Sequence, residues 1–317
     1  MTAFRLIAVS AGALLLAATM ASAKQTEPAP AAKTSSTVSG VTVTAPEKPN
    51  PLVDPTTEFV RRRLPTNRNE QYARFRDDIC VRVVGLPAEF DAFVAKRIVE
   101  VARQVGAVVD PSATCTPNVN VIFSTQPQAQ LTDIANRRDV LFGFFWRSQL
   151  KDMATFRRPI QAWYTTRTVG TDGMSILEQA PMWGFDPKTG AAPPIKGKAG
   201  SRLGNDMSSE LVHSLIIADS NKVSGEPIGA VADYVAVLAL SRWQGLEKCS
   251  GLPTILNLMA DGCEAEDRPE AATPGDLALL KGLYSVDPRE AGMLQRSAIA
   301  SYVRKADAAD PQKAASR

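Results

Sequence analysis

The sequence contains a single histidine, His213, among its 317 residues. A catalytic zinc site usually takes two or three histidines, so this count excludes most hydrolytic zinc centres. His213 lies within an apolar stretch, where a histidine that packs in the core is the expected interpretation. A serine hydrolase built from His213, Ser208 or Ser209, and Asp206 lacks the required G-x-S-x-G elbow. We therefore predict no catalytic residue, no metal ligand and no cofactor.

The chain has no apolar run after residue 23 that is long enough to cross a membrane. Before that point, Arg5 precedes an apolar run from Leu6 to Met20 and the small-residue site Ala21-Ser22-Ala23. This pattern predicts a secretory signal peptide over residues 1–23, and an uncleaved N-terminal anchor is the alternative. No cysteine follows the predicted cleavage site before Cys80, so the usual lipid-modified terminal cysteine is excluded. We expect a periplasmic or secreted protein.

An excess of charge of one sign is also missing, because 36 basic and 33 acidic residues give a formal net charge of +3. A balance so close to neutral gives no indication of a nucleic-acid partner, and we expect none. The clusters of basic residues are typical of solvated faces, and contact with anionic envelope lipid or sugar is the alternative. These clusters are Arg61–Arg63, Arg137–Arg138 and Arg157–Arg158.

Large apolar residues are scarce over residues 24–57, where Pro, Ala and Thr are common. Such a segment buries too little surface to offset its ordering entropy, so we predict a disordered linker there. Residues 58–306 fit one globular domain, and residues 307–317 are predicted to be a disordered tail. The predicted fold class of the domain is α+β, with a mixed sheet and packed helices.

The domain is predicted to start with a strand, a helix and a second strand. Residues Ile79–Leu86 and Val119–Ser124 have the β-branched, apolar character of strands, and a helix is predicted from Pro87 to Gly106. A connection of this kind is normally right-handed and makes its two strands parallel. The apolar positions that recur on one face of the helix are Phe90, Phe93, Val94, Ile98, Val101, Ala102 and Val105.

The sequence has only four cysteines, which lack the close spacing of a structural zinc site. In an exported chain they predict two disulfides. Parallel strands start at the same end of a sheet, so Cys80 is expected beside Cys115, and Cys249 then pairs with Cys263. No free thiol remains to act as a nucleophile.

The rest of the domain is predicted to contain both helices and strands. A helix that is apolar on all sides, from Ile228 to Leu240, is predicted to be buried centrally. The other predicted elements are a helix over Gln128–Arg138, a strand over Ile160–Thr168 with Trp163 and Tyr164 on opposite faces, a long loop over Gly170–Gly204, a strand over Leu211–Ala218, a turn over Ile255–Met259, and helices over Pro274–Tyr284 and Glu290–Arg304.

This order of elements resembles the zincin layout of the metallopeptidases that include the matrixins. In those enzymes the buried helix carries H-E-x-x-H, in which two histidines bind zinc and the glutamate activates water. Aligned on the segment Ala232–Leu240, the resemblance places Ala232 and Ala236 at the histidine positions, Asp233 at the general base and Arg242 near the third ligand. Met259 would match the methionine turn below the metal. The resemblance implies a degenerate site without zinc, and an ordinary core helix is the alternative.

Asp233, Tyr234 and Arg242 are the candidate cleft residues, and a salt bridge at a helix end is their alternative interpretation. The first functional hypothesis is a noncatalytic, zincin-like envelope protein that binds a peptide, a glycan or another envelope protein. The second is a metal-independent hydrolase that uses Asp233, Glu210 or Asp219 as a base. The two hypotheses differ in whether these carboxylates converge in one cleft.

Overall fold

The computed structural model describes residues 54–67, 69–143, 147–178, 197 and 206–309. The predicted signal peptide, and most of the predicted linker and tail, lie outside these residues. Helix α1, Pro55–Arg63, begins inside the linker predicted over residues 24–57, because the Asp54 carboxylate accepts a hydrogen bond from the Thr57 amide and caps the helix. The last helix ends at Ala309, inside the tail predicted from residue 307.

One mixed sheet of six strands organises the described part of the chain. The strands follow the order β2-β3-β6-β4-β5, and β1 lies beside β6. Strands β1, β2, β3 and β6 are parallel, whereas β4 is antiparallel to both β6 and β5. The parallel pairing predicted for the first strand, helix and strand is therefore confirmed. The strands are β1 Arg74–Phe75, β2 Val81–Val84, β3 Val119–Ser124, β4 Ile160–Val169, β5 Ser175–Leu177 and β6 Ser208–Asp219.

Helices cover both faces of this sheet, as an α+β fold with packed helices requires. The larger core contains buried side chains of α2, α6, α7 and α8. The smaller core, on the other face, joins Leu131 of α3 to Trp163 and Phe142, whose rings meet edge to face at 5.5 Å. Tyr164 packs against the larger core, so its predicted placement opposite Trp163 is confirmed. Besides α1, the helices are α2 Ala88–Gln104, α3 Pro127–Arg137, α4 Leu150–Met153, α5 Ser220–Val223, α6 Ile228–Ala239, α7 Pro274–Ser285 and α8 Gly292–Ala309.

Helix α6 is buried along nearly its whole length, as its apolar sequence predicts. A helix leaves its last four carbonyls without partners inside the helix. At the end of α6, four side chains from different parts of the fold donate to these carbonyls. The bonds run from Trp243 Nε1 to Val237 O (2.9 Å), Tyr164 OH to Leu238 O (3.0 Å), Ser214 Oγ to Ala239 O (2.8 Å) and Tyr284 OH to Leu240 O (2.9 Å).

Both predicted disulfides, Cys80–Cys115 and Cys249–Cys263, are present. Cys80 directly precedes β2, and Cys115 lies shortly before β3, at the same end of the two parallel strands. The described residues contain no free cysteine.

One expectation about local structure is wrong. The loop predicted over Gly170–Gly204 contains β5, because residues 175–177 pair with the end of β4; apart from Gly197, residues 179–204 of that loop lie outside the described part. Phe90 and Phe93 of α2 belong to the same predicted apolar face as Val94 and Ile98, yet both are exposed, Phe90 by 42%. Phe90 borders an open groove of about 260 Å³ beside the first turn of α6, and nothing described fills that groove.

Candidate functional site

Asp233 is buried in an ion pair rather than exposed in a cleft. Its carboxylate is 2% exposed and accepts hydrogen bonds from the Arg97 guanidinium of α2, one of them from Nη2 at 3.1 Å. The backbone N–H of Ala272 donates to the same carboxylate at 2.7 Å. Asp233 therefore joins α6 to α2 and to the segment before α7, and its burial makes it inaccessible to a substrate.

The two positions that correspond to zinc ligands in the resemblance are part of a closed core. Ala232 and Ala236 are both fully buried. The segment Ile255–Met259 forms a 3-10 turn that packs against α6, and Met259 contacts the same core. Over the described residues, no three His, Cys, Asp or Glu side chains lie close enough together to hold a metal ion.

The carboxylates considered for a metal-independent hydrolase do not converge. Glu210 lies near the start of β6 and pairs with Arg167 at 2.7 Å, whereas Asp219 ends the same strand and caps α5. The two residues are nine positions apart, which corresponds to about 30 Å in an extended strand. Asp233 lies on α6 and is occupied by Arg97. These three acids therefore belong to three separate structural contacts.

Tyr234 and Arg242 both lie within electrostatic range of the Tyr164 hydroxyl of β4. Burial raises the pKa of Tyr234 and lowers the pKa of Arg242. Nη1 of Arg242 is buried without a hydrogen-bond partner in the described chain. A cation just beyond the C-terminus of a helix is stabilised by the helix dipole, so Arg242 has a structural role there.

Main-chain groups of β4 form a site that the sequence did not reveal. The Asp219 N–H donates to the Pro159 carbonyl at 2.8 Å, which makes these two residues a hydrogen-bonded pair of the antiparallel ladder. Such pairs alternate with pairs whose main-chain groups point away from the partner strand. Ile160, Ala162 and Tyr164 are in the second kind of pair. Their N–H and C=O groups therefore point away from β6.

Two further hydrogen bonds support this assignment. The Ser214 N–H, opposite Tyr164, donates to the Asn118 carbonyl on the far side of β6, at 2.9 Å. The Glu178 N–H donates to the outward carbonyl of Thr166, also at 2.9 Å. From Ile160 to Tyr164, no described residue pairs with the outer side of β4. We call these outward groups of Ile160, Ala162 and Tyr164 the open edge of β4.

A cavity of about 240 Å³ lies along the open edge of β4. Leu238, Trp243 and Leu246 line it with apolar surface, Arg157 and Arg158 contribute positive charge, and Asp152 contributes one carboxylate. An extended segment placed here would find main-chain hydrogen-bonding groups, apolar contacts and cations together. The sequence predicts that Arg157 and Arg158 belong to a solvated face, with contact to anionic lipid or sugar as the alternative, and it does not indicate the neighbouring edge of β4.

His213 lies in β6 on the face away from α6, and no described acid is hydrogen-bonded to it. Its Nε2 atom lies 2.8 Å from the Asn120 side-chain nitrogen, and its buried Nδ1 atom has no described partner. Burial, and to a lesser degree the charge of Arg138, lowers the pKa of His213 to about 4. A neutral, largely buried ring agrees with the predicted structural role.

The pKa of His213 predicts a specific loss of stability in acid. The unfolded chain takes up this proton near pH 6.5, whereas the folded chain takes it up only near pH 4, so stability falls as the pH decreases through that window. The shift corresponds to on the order of 3 kcal/mol in the free energy of unfolding. We expect His213→Gln to flatten the profile measured by urea denaturation. Equal slopes for both proteins between pH 6.5 and pH 4 would contradict the assignment, because the chain has no other histidine.

Comparison with protein-family models, with curated proteins and with solved structures found no match. In the described residues, no helix is both long enough and apolar enough to span a membrane.

Proposed function

We propose that this chain is an exported, noncatalytic protein of zincin-like layout that binds an extended peptide segment of another envelope protein along the open edge of β4. Export is supported by the signal-like N-terminus and by two disulfides, which persist in oxidising compartments. The layout is supported by a buried α6 that follows a strand and precedes a turn containing Met259.

The noncatalytic part of the proposal rests on the surroundings of α6. Ala232 and Ala236 carry methyl groups where the resemblance would require metal ligands, and both are enclosed by the core. Asp233, which would be the general base, is held by Arg97 and Ala272. No observation favours the alternative of a metal-independent hydrolase, because Glu210 and Asp219 lie toward opposite ends of β6 and Asp233 is held by Arg97.

The binding part of the proposal rests on one observation: the outward main-chain groups of Ile160, Ala162 and Tyr164 lie beside a cavity and pair with no residue that the structure describes. An extended peptide can add a strand to such an edge, with affinity from main-chain hydrogen bonds and specificity from pockets for alternate side chains. Proteins usually protect long open edges, since these also invite aggregation. A glycan lacks the repeating N–H and C=O groups that would pair with this edge, so a peptide is the favoured ligand class.

Proline at residue 162 tests the site directly. The Ala162 N–H points outward, so Ala162→Pro removes a donor of the open edge without removing a bond between β4 and β6. We expect affinity for short fluorescent peptides, in which valine alternates with aspartate, to fall about tenfold or more in fluorescence polarisation. Ala162→Ser keeps the N–H and should bind as the parent does.

N-methylated peptides provide a control that leaves the protein unchanged. Two peptides are methylated on every second amide, one on the odd-numbered and one on the even-numbered amides. Only every second amide faces β4, so we expect methylation of the facing amides to abolish binding and methylation of the others to be tolerated. If Ala162→Pro and the parent bind equally, the open edge is not the site. If the parent instead forms a dimer that Ala162→Pro dissociates, the edge binds a second copy of the chain, and the proposal is wrong.

A further inference from the structure

Two arginines lie where β4 begins, directly before the open edge. Arg158 contacts Glu247 at 3.1 Å, and Arg157 contacts Asp152 at 3.5 Å. All four side chains are well exposed, with Arg157 at 63%. Exposed pairs of this kind contribute little to stability, so either arginine can exchange its partner for another carboxylate at small cost.

The rest of the site determines how a bound segment would be oriented. Side chains alternate along a strand, so a segment paired with β4 would turn every second side chain toward the apolar wall of Leu238, Trp243 and Leu246. Arg157 and Arg158 directly precede β4 in sequence, at the Ile160 end of the open edge. Of the described residues that line the cavity, these two arginines are the cations and Asp152 is the acid, so the cavity lining carries a net positive charge.

We infer that the segment bound at the open edge of β4 is acidic, with carboxylates at the end next to Arg157 and Arg158 and an apolar side chain in the cavity. This inference rests on the proposed function and narrows its ligand to an acidic, extended peptide of a partner protein. Charge complementarity at such a rim mainly raises the association rate and selects among partners. The binding is consequently sensitive to salt.

Three fluorescent peptides test this inference. In each peptide valine alternates with one other residue, which is aspartate in the first, serine in the second and lysine in the third. We expect the aspartate peptide to bind the parent protein about tenfold or more tightly than the lysine peptide at low ionic strength, and the difference to shrink at about 0.5 M salt. The double variant Arg157→Glu, Arg158→Glu should reverse this order. The matched control reverses the charges of two exposed residues on α2, Lys96→Glu and Arg103→Glu, and should keep the parent's order.

The outcomes separate the inference from the proposed function. If all three peptides bind the parent equally, or the charge reversal leaves the order unchanged, the acidic preference is overturned while peptide binding at the edge stands. If no peptide binds the parent, both are overturned. Because the peptide series uses the unmodified protein, the first comparison does not depend on how well any variant folds.

Discussion

Ala236→Asp is expected to leave the protein unfolded, or to lower its melting temperature far below that of the parent. Ala236 is 0% exposed and belongs to the larger core. An unpaired carboxylate there costs several kcal/mol, even if it becomes protonated, and a typical domain has only about 5–15 kcal/mol to lose. Circular dichroism during heating measures the effect.

Ala92→Asp provides the matched control, because it makes the same change at an exposed position of α2. A surface substitution of this kind normally changes stability by no more than about 0.5 kcal/mol. Similar melting curves for the two variants would mean that water reaches Ala236. That outcome would indicate that the region around Ala236 is an open remnant of a metal site and not a closed core. The candidate site would then lie at α6 and not at β4.

Arg97→Ala should destabilise the protein more than its partly exposed side chain suggests. Arg97 is 34% exposed, yet its guanidinium neutralises the buried carboxylate of Asp233. Removing one partner of a buried ion pair leaves an uncompensated charge and costs about 3–5 kcal/mol. Chemical denaturation at neutral pH gives the change in the free energy of unfolding.

Two substitutions make this test specific. Lys96→Ala alters the preceding residue, whose side chain is 77% exposed and 3.8 Å from Glu100, and should be nearly neutral. Asp233→Ala removes the buried charge itself and leaves an arginine that can turn to solvent, so we expect a loss of about 1–3 kcal/mol, smaller than for Arg97→Ala. If Asp233→Ala costs more than Arg97→Ala, Asp233 acts mainly through Ala272 and not through the ion pair.

The elements with strong local patterns were predictable from the sequence. The strand at Val119–Ser124 is found within the predicted bounds, and α6 follows its uninterrupted apolar run. The pairing of the cysteines followed from the parallel strands on either side of α2. The start of α1 is also visible in the sequence, since Asp54 before Pro55 is a typical helix beginning, although the composition of residues 24–57 predicts a linker.

The candidate site could not be predicted in the same way, because pairing across the fold determines it. Arg97 and Asp233 are 136 residues apart in sequence, and nothing near Asp233 indicates its partner. Strand β5 exists because residues 175–177 meet the end of β4, and its own sequence is too short to show a pattern. The open edge of β4 exists because no described strand pairs with this part of β4, and no local sequence pattern indicates which strands will pair.

The contacts at the end of α6 also have consequences for the order in which the chain can fold during its synthesis. Its carbonyls receive donors from residues up to 74 positions earlier in the sequence and 44 positions later. During synthesis, a chain that has grown only to residue 283 still lacks the Tyr284 hydroxyl and leaves the Leu240 carbonyl without its donor. The terminal turn of α6 therefore becomes complete only after nearly the whole domain has been made, and shorter nascent chains hold this helix less firmly.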